Sequence, residues 1–423
     1  MNNYKQREMR QMSKLKNDSL QLHRTHQGKL EIRSKVAVEN ERDLSLAYSP
    51  GVAEPCREIA ADPAKVHDYT MKSNMVAVVT DGTAVLGLGN IGPLAALPVM
   101  EGKAILFKEF AGVDAFPICL DTTDAETIIQ TVKLLEPGFG GVNLEDISAP
   151  TCFVVEERLK KEMGIPVFHD DQHGTAIVTL AGLINALKLV GKDVQETKIV
   201  VNGAGAAGIA IVKLLSKFGF GHLIMCDTKG AIYKGRKNGM NPYKEEVAEM
   251  SNYDRKEGLL ADVIEGADVF IGVSAEGALT EEMVRTMNSD AIIFAMANQN
   301  PEILPHLAKQ AGARVVGTGR SDFPNQVNNV LAFPGLFRGA LDVLATDIND
   351  AMKIAAVEAI AGLLETTELH EDYVIPKPFD LRVASAVAAA VAKAAIETGV
   401  ARKTIETDDL KQKTASLSAA GEN

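Results

Sequence analysis

The sequence predicts an α/β protein of two domains, and three observations carry that expectation. Its 423 residues exceed what one ordinary core organises. From Lys198 onward, short β-branched runs alternate with helical patterns, the rhythm of a doubly wound parallel sheet. Ahead of that point, two short apolar runs each end in paired acids, Glu145-Asp146 and Asp170-Asp171. Neighbouring strand residues point to opposite faces, so these acids belong at strand ends, where open α/β sheets place their ligands.

Taken in order, the 5–35 stretch is basic and helical in flavour but lacks the apolar core of a secretion leader. Residues 75–80 and 104–107 are apolar and β-branched enough for strands. Residues 125–135 place Ile128, Ile129, Val132 and Leu135 on one helical face, and Pro137-Gly138 stops the helix. A helix over 175–190, striped by Ile177, Leu180, Ile184 and Leu187, connects the second acid pair to the next domain. Strands then fall at 198–201, 222–226, 268–273, 291–295 and 314–317. Two long amphipathic helices, 348–364 and 381–398, return to brace the first domain. The boundaries implied are 1–173 for an N-terminal α/β domain, 174–345 for the regular sheet and 346–423 for the C-terminal helices. The Ala/Val-rich 383–395 stretch, interrupted by Lys393, reads as a buried helix and not as a membrane span.

With 46% apolar and 24% charged residues, the composition is that of a soluble globular protein. Lys+Arg 44 against Asp+Glu 56 gives a net charge of −12, which argues against a nucleic-acid partner. An anionic substrate must therefore meet a local cation. Cys56, Cys119, Cys152 and Cys226 are scattered without a CxxC pair, as expected of reduced, mostly buried thiols in a cytoplasm.

Four carboxylates converging at strand ends repel one another unless a cation holds them, and an all-oxygen set suits Mg²⁺ or Mn²⁺ better than Zn²⁺. Either pair alone also fits an ordinary solvated turn. A nucleotide fingerprint following closely favours the site. Gly203, Ala204, Gly205, Ala206, Ala207 and Gly208 form GxGxxG directly after a strand and at the opening of a helix. The first glycine permits the tight turn, the second a close approach to a pyrophosphate, and the third tight packing of helix on strand. The pyrophosphate then rests on the helix N-terminus, so this is a Rossmann-type domain for NAD or NADP. Asp227, ending the next strand, should accept the adenosine ribose hydroxyls and disfavour a 2′-phosphate. Lys229, Lys234, Arg236 and Lys237 follow and stand to reverse that preference. Ser274 ends a further strand among small residues, where a nicotinamide ribose can approach.

These residues resemble the malic enzyme family in its short bacterial form, over about Gly28 to Gly399. The resemblance runs through Ala47-Tyr48-Ser49-Pro50-Gly51, Thr80-Asp81-Gly82, Leu86-Gly87-Leu88-Gly89-Asn90, Gly102-Lys103-Ala104, both acid pairs and Asn325-Gln326-Val327-Asn328-Asn329. It implies oxidative decarboxylation of L-malate to pyruvate and CO₂ with NAD(P)⁺ and a divalent metal, in a homodimer or larger homo-oligomer. It assigns Glu145, Asp146 and Asp171 to the metal, Lys103 to the base, Asp170 to a place beside it, and Tyr48 to the acid that protonates C3. Asn298 and Asn329 match amides that hold the substrate carboxylate, Asn298 also bordering the cofactor. As a base Lys103 must be neutral, so its pKa should be depressed.

Three departures stand out. Thr83-Ala84-Val85 carries no cation where larger members have an arginine, leaving Lys72 and Arg320 to grip the second carboxylate. Gln299 follows Asn298 where proline is expected, and Ser49 stands where threonine is commoner. The competing reading is a lyase on the same scaffold, either an oxaloacetate decarboxylase or a malolactic enzyme. An amino-acid dehydrogenase would also pair a lysine with a Rossmann domain but has no need of clustered carboxylates.

Overall fold

The computed structural model describes the backbone of residues 2–419 and the side chains of residues 14–417. Ten strands form two sheets. The first is built from β1 (Met75–Thr80), β2 (Asp114–Cys119), β3 (Gly141–Leu144) and β4 (Val167–His169), all parallel, in the order β2-β1-β3-β4. The second uses β5 (Lys198–Asn202), β6 (His222–Asp227), β7 (Gly230–Ala231), β8 (Val269–Gly272), β9 (Ala291–Ala295) and β10 (Ala313–Thr318). Its order is β10-β9-β8-β5-β6-β7, parallel except for the short β7 on β6. In each sheet the chain starts near the middle, moves outward, then crosses back to the other side. The reversal lies between β1 and β3 in the first and between β5 and β8 in the second, and ligands bind outside the carboxyl ends of strands at such points.

The helix Asp170–Val190 joins the two sheets. It starts at the second acid pair, earlier than the 175 expected, because Asp170 and Asp171 occupy its first turn and suit the positive end of the helix dipole. This helix is long and apolar enough to span a membrane, yet most of it is buried inside the protein, as in a core helix. After the second sheet, helices Phe333–Asp342, Arg382–Glu397 and Thr407–Ala419 return to pack on Gly92–Ala111 of the first domain. Phe107 anchors that return, meeting Phe333 and Phe337 edge-on at ring separations of 4.7 and 5.3 Å.

The stretch 104–107 is not a strand but lies inside the helix Gly92–Ala111, where Ala96, Met100, Lys103, Ala104, Phe107 and Ala111 make one buried stripe. Four residues are too few to separate the two periods. The true neighbour of β1 is β2, which contains Pro117 and was hidden by it; Pro is tolerated because β2 is an edge strand. Two cysteines are buried, Cys119 is half-buried and Cys56 is exposed, so the thiols are free but less sheltered than expected.

The basic N-terminal stretch is helical over Asn2–His26, with the side chains of its first half outside the described residues. Beyond it the chain buries little. Helices Glu41–Ala47 and Ala53–Ala61 have no buried residue, and Ile32 is 89% exposed.

Candidate active site

At the first reversal, Glu145 and Asp146 follow β3 and Asp171 sits one residue into the connecting helix. One carboxylate oxygen from each lies within 4.8 Å of the others. Asp146 adopts a left-handed backbone, φ 55°, which aspartate tolerates and which turns its carboxylate back toward Asp171. The Asp146 N–H donates to Asp171 Oδ2 at 2.7 Å, locking the two loops together. Burial, then the repulsion of Asp171 and Glu145, pushes the Asp146 carboxyl up to about 9. Burial likewise lifts Asp171 to about 6 and raises Glu145. Asp146 Oδ2 is buried with no hydrogen-bond partner. Two buried acids and one part-exposed acid, Asp146 with an orphaned oxygen, form a charge deficit that a hard divalent cation fits.

Lys103 reaches this cluster from the helix Gly92–Ala111 and is 7% exposed. Its Nζ lies 2.6 Å from Asp170 Oδ2, 2.9 Å from Glu145 Oε1 and 4.3 Å from the Phe333 ring centre. Burial draws its pKa down, but Asp170, then Glu145, outweigh burial and hold it above the usual lysine value. That direction is opposite to the depression expected of a base: on the protein's own charges, two carboxylates in contact outweigh desolvation. Asp170 is fully buried and lifted to about 7, chiefly by burial. Asn329 Nδ2 also donates to Asp170 Oδ2, which ties its amide to the Lys103–Asp170 pair.

At the second reversal the glycines behave as read. A Cβ on Gly203 would lie 2.4 Å from Val273 O, and one on Gly208 would lie 1.8 Å from Gly203 O. Gly205 has nothing within 4 Å, leaving open space at the start of helix Ala206–Phe218. Ala204, Ala206 and Ala207 complete a turn whose backbone faces that space, a cradle that a pyrophosphate fits. Asp227 ends β6 as expected and is already engaged there. Its oxygens accept from Arg236 Nη1 at 2.9 Å, Lys244 Nζ at 2.6 Å and the Lys229 N–H at 2.8 Å. Burial opposes its charge, but Arg236 and Lys244 prevail and hold the carboxyl at about 2. A carboxylate clamped by two cations no longer repels a 2′-phosphate, so the inference toward NAD loses its basis. Ser274 follows β8, and Asn298 follows β9 with Gly87 of the glycine-rich loop packed against it, so the first domain's loop meets the second domain's strand ends.

Other expected residues lie elsewhere. Tyr48 is 69% exposed and its hydroxyl makes no hydrogen bond among the described residues. Lys72 Nζ caps the Phe139 carbonyl at 2.6 Å and the Glu136 carbonyl, which removes it as a grip for substrate. Arg320 stays close, its Nη1 3.4 Å from Gln299 O while it pairs with Asp322. Gln299 has φ 70°, a conformation closed to proline, so the departure in sequence is a departure in backbone. Reading the sequence missed Phe333 beneath the Lys103 ammonium, Lys244 on Asp227, and Glu302. Only Glu302, a lone acid in the apolar run Pro301-Glu302-Ile303-Leu304, gave a visible signal.

Comparison with known proteins bears on this arrangement. Residues 27–160 match the family model for the malic enzyme N-terminal domain, and residues 172–396 match that for the malic enzyme NAD binding domain. The chain is 71% identical over 408 residues to the bifunctional malic/malolactic enzyme of Bacillus subtilis, covering 96% of this chain and 100% of that protein. It is 59% identical to the NAD-dependent malic enzyme of Geobacillus stearothermophilus, covering 89% of this chain and 78% of the relative. The crystal structure of malic enzyme from Pyrococcus horikoshii superposes with a TM-score of 0.88 at 48% identity, covering 94% and 93% of the two chains.

Proposed function

The chain belongs to the malic enzyme family, and from that premise we propose that it converts L-malate and NAD(P)⁺ to pyruvate, CO₂ and NAD(P)H with Mg²⁺ or Mn²⁺. One observation carries the reading: the buried Lys103–Asp170 pair stands beside three carboxylates with an orphaned oxygen, at the strand ends nearest the dinucleotide fold. Glu145, Asp146 and Asp171 would hold the metal, which would supply Lewis-acid charge for the oxidation and decarboxylation, and the dinucleotide would supply the hydride acceptor. Lys103, once it has given up its own proton, takes the proton of the C2 hydroxyl, with Asp170 as its hydrogen-bonded partner in the exchange. Asn329 holds Asp170 in place for that exchange. After C3–C4 cleavage releases CO₂, the phenol of a Tyr48 protonates C3. The loop that carries Gly87 packs on Asn298 at the edge of the cofactor crevice.

Because Tyr48 is exposed in its own chain on a segment that buries nothing, the reading includes a homodimer in which Tyr48 serves the partner protomer. Mixing a Tyr48→Phe chain with a Lys103→Met chain tests it: each alone is inactive, and co-refolded mixtures recover turnover in the heterodimers. No recovery with intact dimers, judged by sedimentation, refutes the exchange. The substrates are small molecules, and no nucleic acid or membrane partner is proposed. The scattered free thiols and acidic surface support a cytosolic location as part of the same proposal.

The deciding assay follows reduced-cofactor absorbance with malate and Mn²⁺, with NAD⁺ and NADP⁺ separately and an EDTA control. Malate-dependent, EDTA-sensitive reduction is expected. A second reading is malolactic decarboxylation to L-lactate, favoured by the name of the Bacillus subtilis relative. Lactate formed without net cofactor reduction would establish it in place of the first.

A further inference from the structure

At the mouth of the second reversal sits a buried carboxylate that the mechanism above does not use. Glu302 Oε1 accepts from the Ser274 N–H at 2.8 Å and from the Ser274 hydroxyl at 3.1 Å. Its Oε2 accepts from the Ala297 N–H at 3.0 Å, one residue before Asn298. Asn202 Nδ2, at the end of β5 and next to the glycine turn, donates to the same Ser274 oxygen at 2.9 Å. One side chain thus ties together the segments after β8 and β9, and Ser274 links them on to the end of β5. The carboxylate lies flat on the backbone of Gly272, where a Cβ would come within 2.4 Å of it. No Lys or Arg pairs with it among the described residues. Burial raises its pKa against three donated hydrogen bonds.

A buried anion without a counter-cation is an expensive way to brace two loops, and a neutral acceptor would serve if bracing were all. What a carboxylate adds is two acceptor atoms with no donor, able to bridge two backbone N–H groups at once. Both bridged segments flank the crevice between β5, β8 and β9, beyond the phosphate turn from Asp227. In a dinucleotide laid across that crevice the adenosine half lies toward Asp227, and the nicotinamide half lies between Ser274 and Asn298.

We propose that Glu302 is a positioning residue for the nicotinamide half of the cofactor, holding Ser274 and the Ala297-Asn298 segment at the spacing that half requires. The proposal rests on the dinucleotide reading of the crevice and not on the identity of the acid that is oxidised.

Glu302→Gln keeps volume but turns an NH₂ toward one of the two N–H donors, releasing one strand end. Calorimetric titration of the full-length protein should show NADP⁺ and NAD⁺ binding about tenfold or more weaker, the loss of one charge-assisted hydrogen bond. ADP and adenosine 2′,5′-bisphosphate, which carry only the adenosine half, should bind as in the wild type. In steady state the cofactor KM rises and kcat falls, while the metal requirement is unmoved. Glu302→Asp, which keeps both acceptors, should recover part of the affinity, and it carries the same titrations if Glu302→Gln does not fold. Unchanged dinucleotide binding, or an equal loss for the adenosine-only probes, overturns the proposal. Because the titrations need no turnover, failure of malate oxidation in the wild type would remove the functional reading and leave this test standing.

Discussion

The two sheets reverse in the same way, yet their strand ends are opposite kinds of site. At the end of β3, acids crowd within 4.8 Å, their pKa values driven up by burial and one another, and Asp146 leaves an oxygen unbonded. At the end of β5 the surface is backbone and empty space, with Gly205 facing nothing within 4 Å. The first site is electrostatically incomplete before anything binds. The second is complete and only needs to stay open. The same topology, then, sets where a ligand goes, while side-chain chemistry decides whether it is demanded or merely admitted.

Five experiments break or sharpen that contrast. The largest effect should come from Lys103→Met, which removes the lysine that pairs with Glu145 and Asp170 in the crowded site. Turnover should fall about a thousandfold or more while calorimetry finds cofactor affinity little changed. A cofactor affinity lost in step would show that the two sites are not separable. Next is Gly205→Ala, whose Cβ meets no protein atom: dinucleotide binding should be lost with an unaltered melting curve, whereas Gly208→Ala should lower both. Third, Asp146→Asn relieves repulsion in the crowded site. In EDTA the variant should melt above the wild type, by on the order of 1 kcal/mol, and it should lose the wild type's rise in Tm on adding Mn²⁺. An Asp146→Asn protein that melts lower in EDTA would remove the claim of stored repulsion.

Smaller effects belong to the open site. Lys244→Ala should lower the preference for NADP⁺ over NAD⁺ several-fold, measured as a ratio of kcat/KM values, because Lys244 is one of two cations on Asp227. A ratio that does not move would return Asp227 to its expected contact with ribose. The last test is acid titration. The Asp227 carboxyl lies near 2 when folded, below its unfolded value of 3.8, so its ion pairs stabilise the fold fully above that unfolded value. The contribution is lost as pH falls from about 4 through about 2, and Asp227→Asn should flatten that limb of the stability curve.

Much of this contrast was legible in the residues, but unevenly. The glycine turn could be read because its requirement is local: a strand, three glycines at fixed spacing and a helix lie within ten neighbouring positions. The acid pairs were legible for the same reason, as charges that end apolar runs. What escaped was long-range. Phe333 lies beneath Lys103 although 230 positions separate them in the chain, and no local pattern announces such a meeting. The raised pKa of Lys103 was not legible because two carboxylates from different loops set it, and their meeting with Lys103 is long-range. The helix around 104–107 passed for a strand because four apolar residues fit both periods, and the edge strand β2 was hidden by Pro117.

The bareness of the Tyr48 segment reaches beyond geometry into dosage. If the proton for C3 is lent by a neighbour, then a solitary protomer is silent, and specific activity follows the law of mass action. Dilution alone should extinguish catalysis, reversibly and with second-order recovery, at concentrations where each protomer still holds its cofactor.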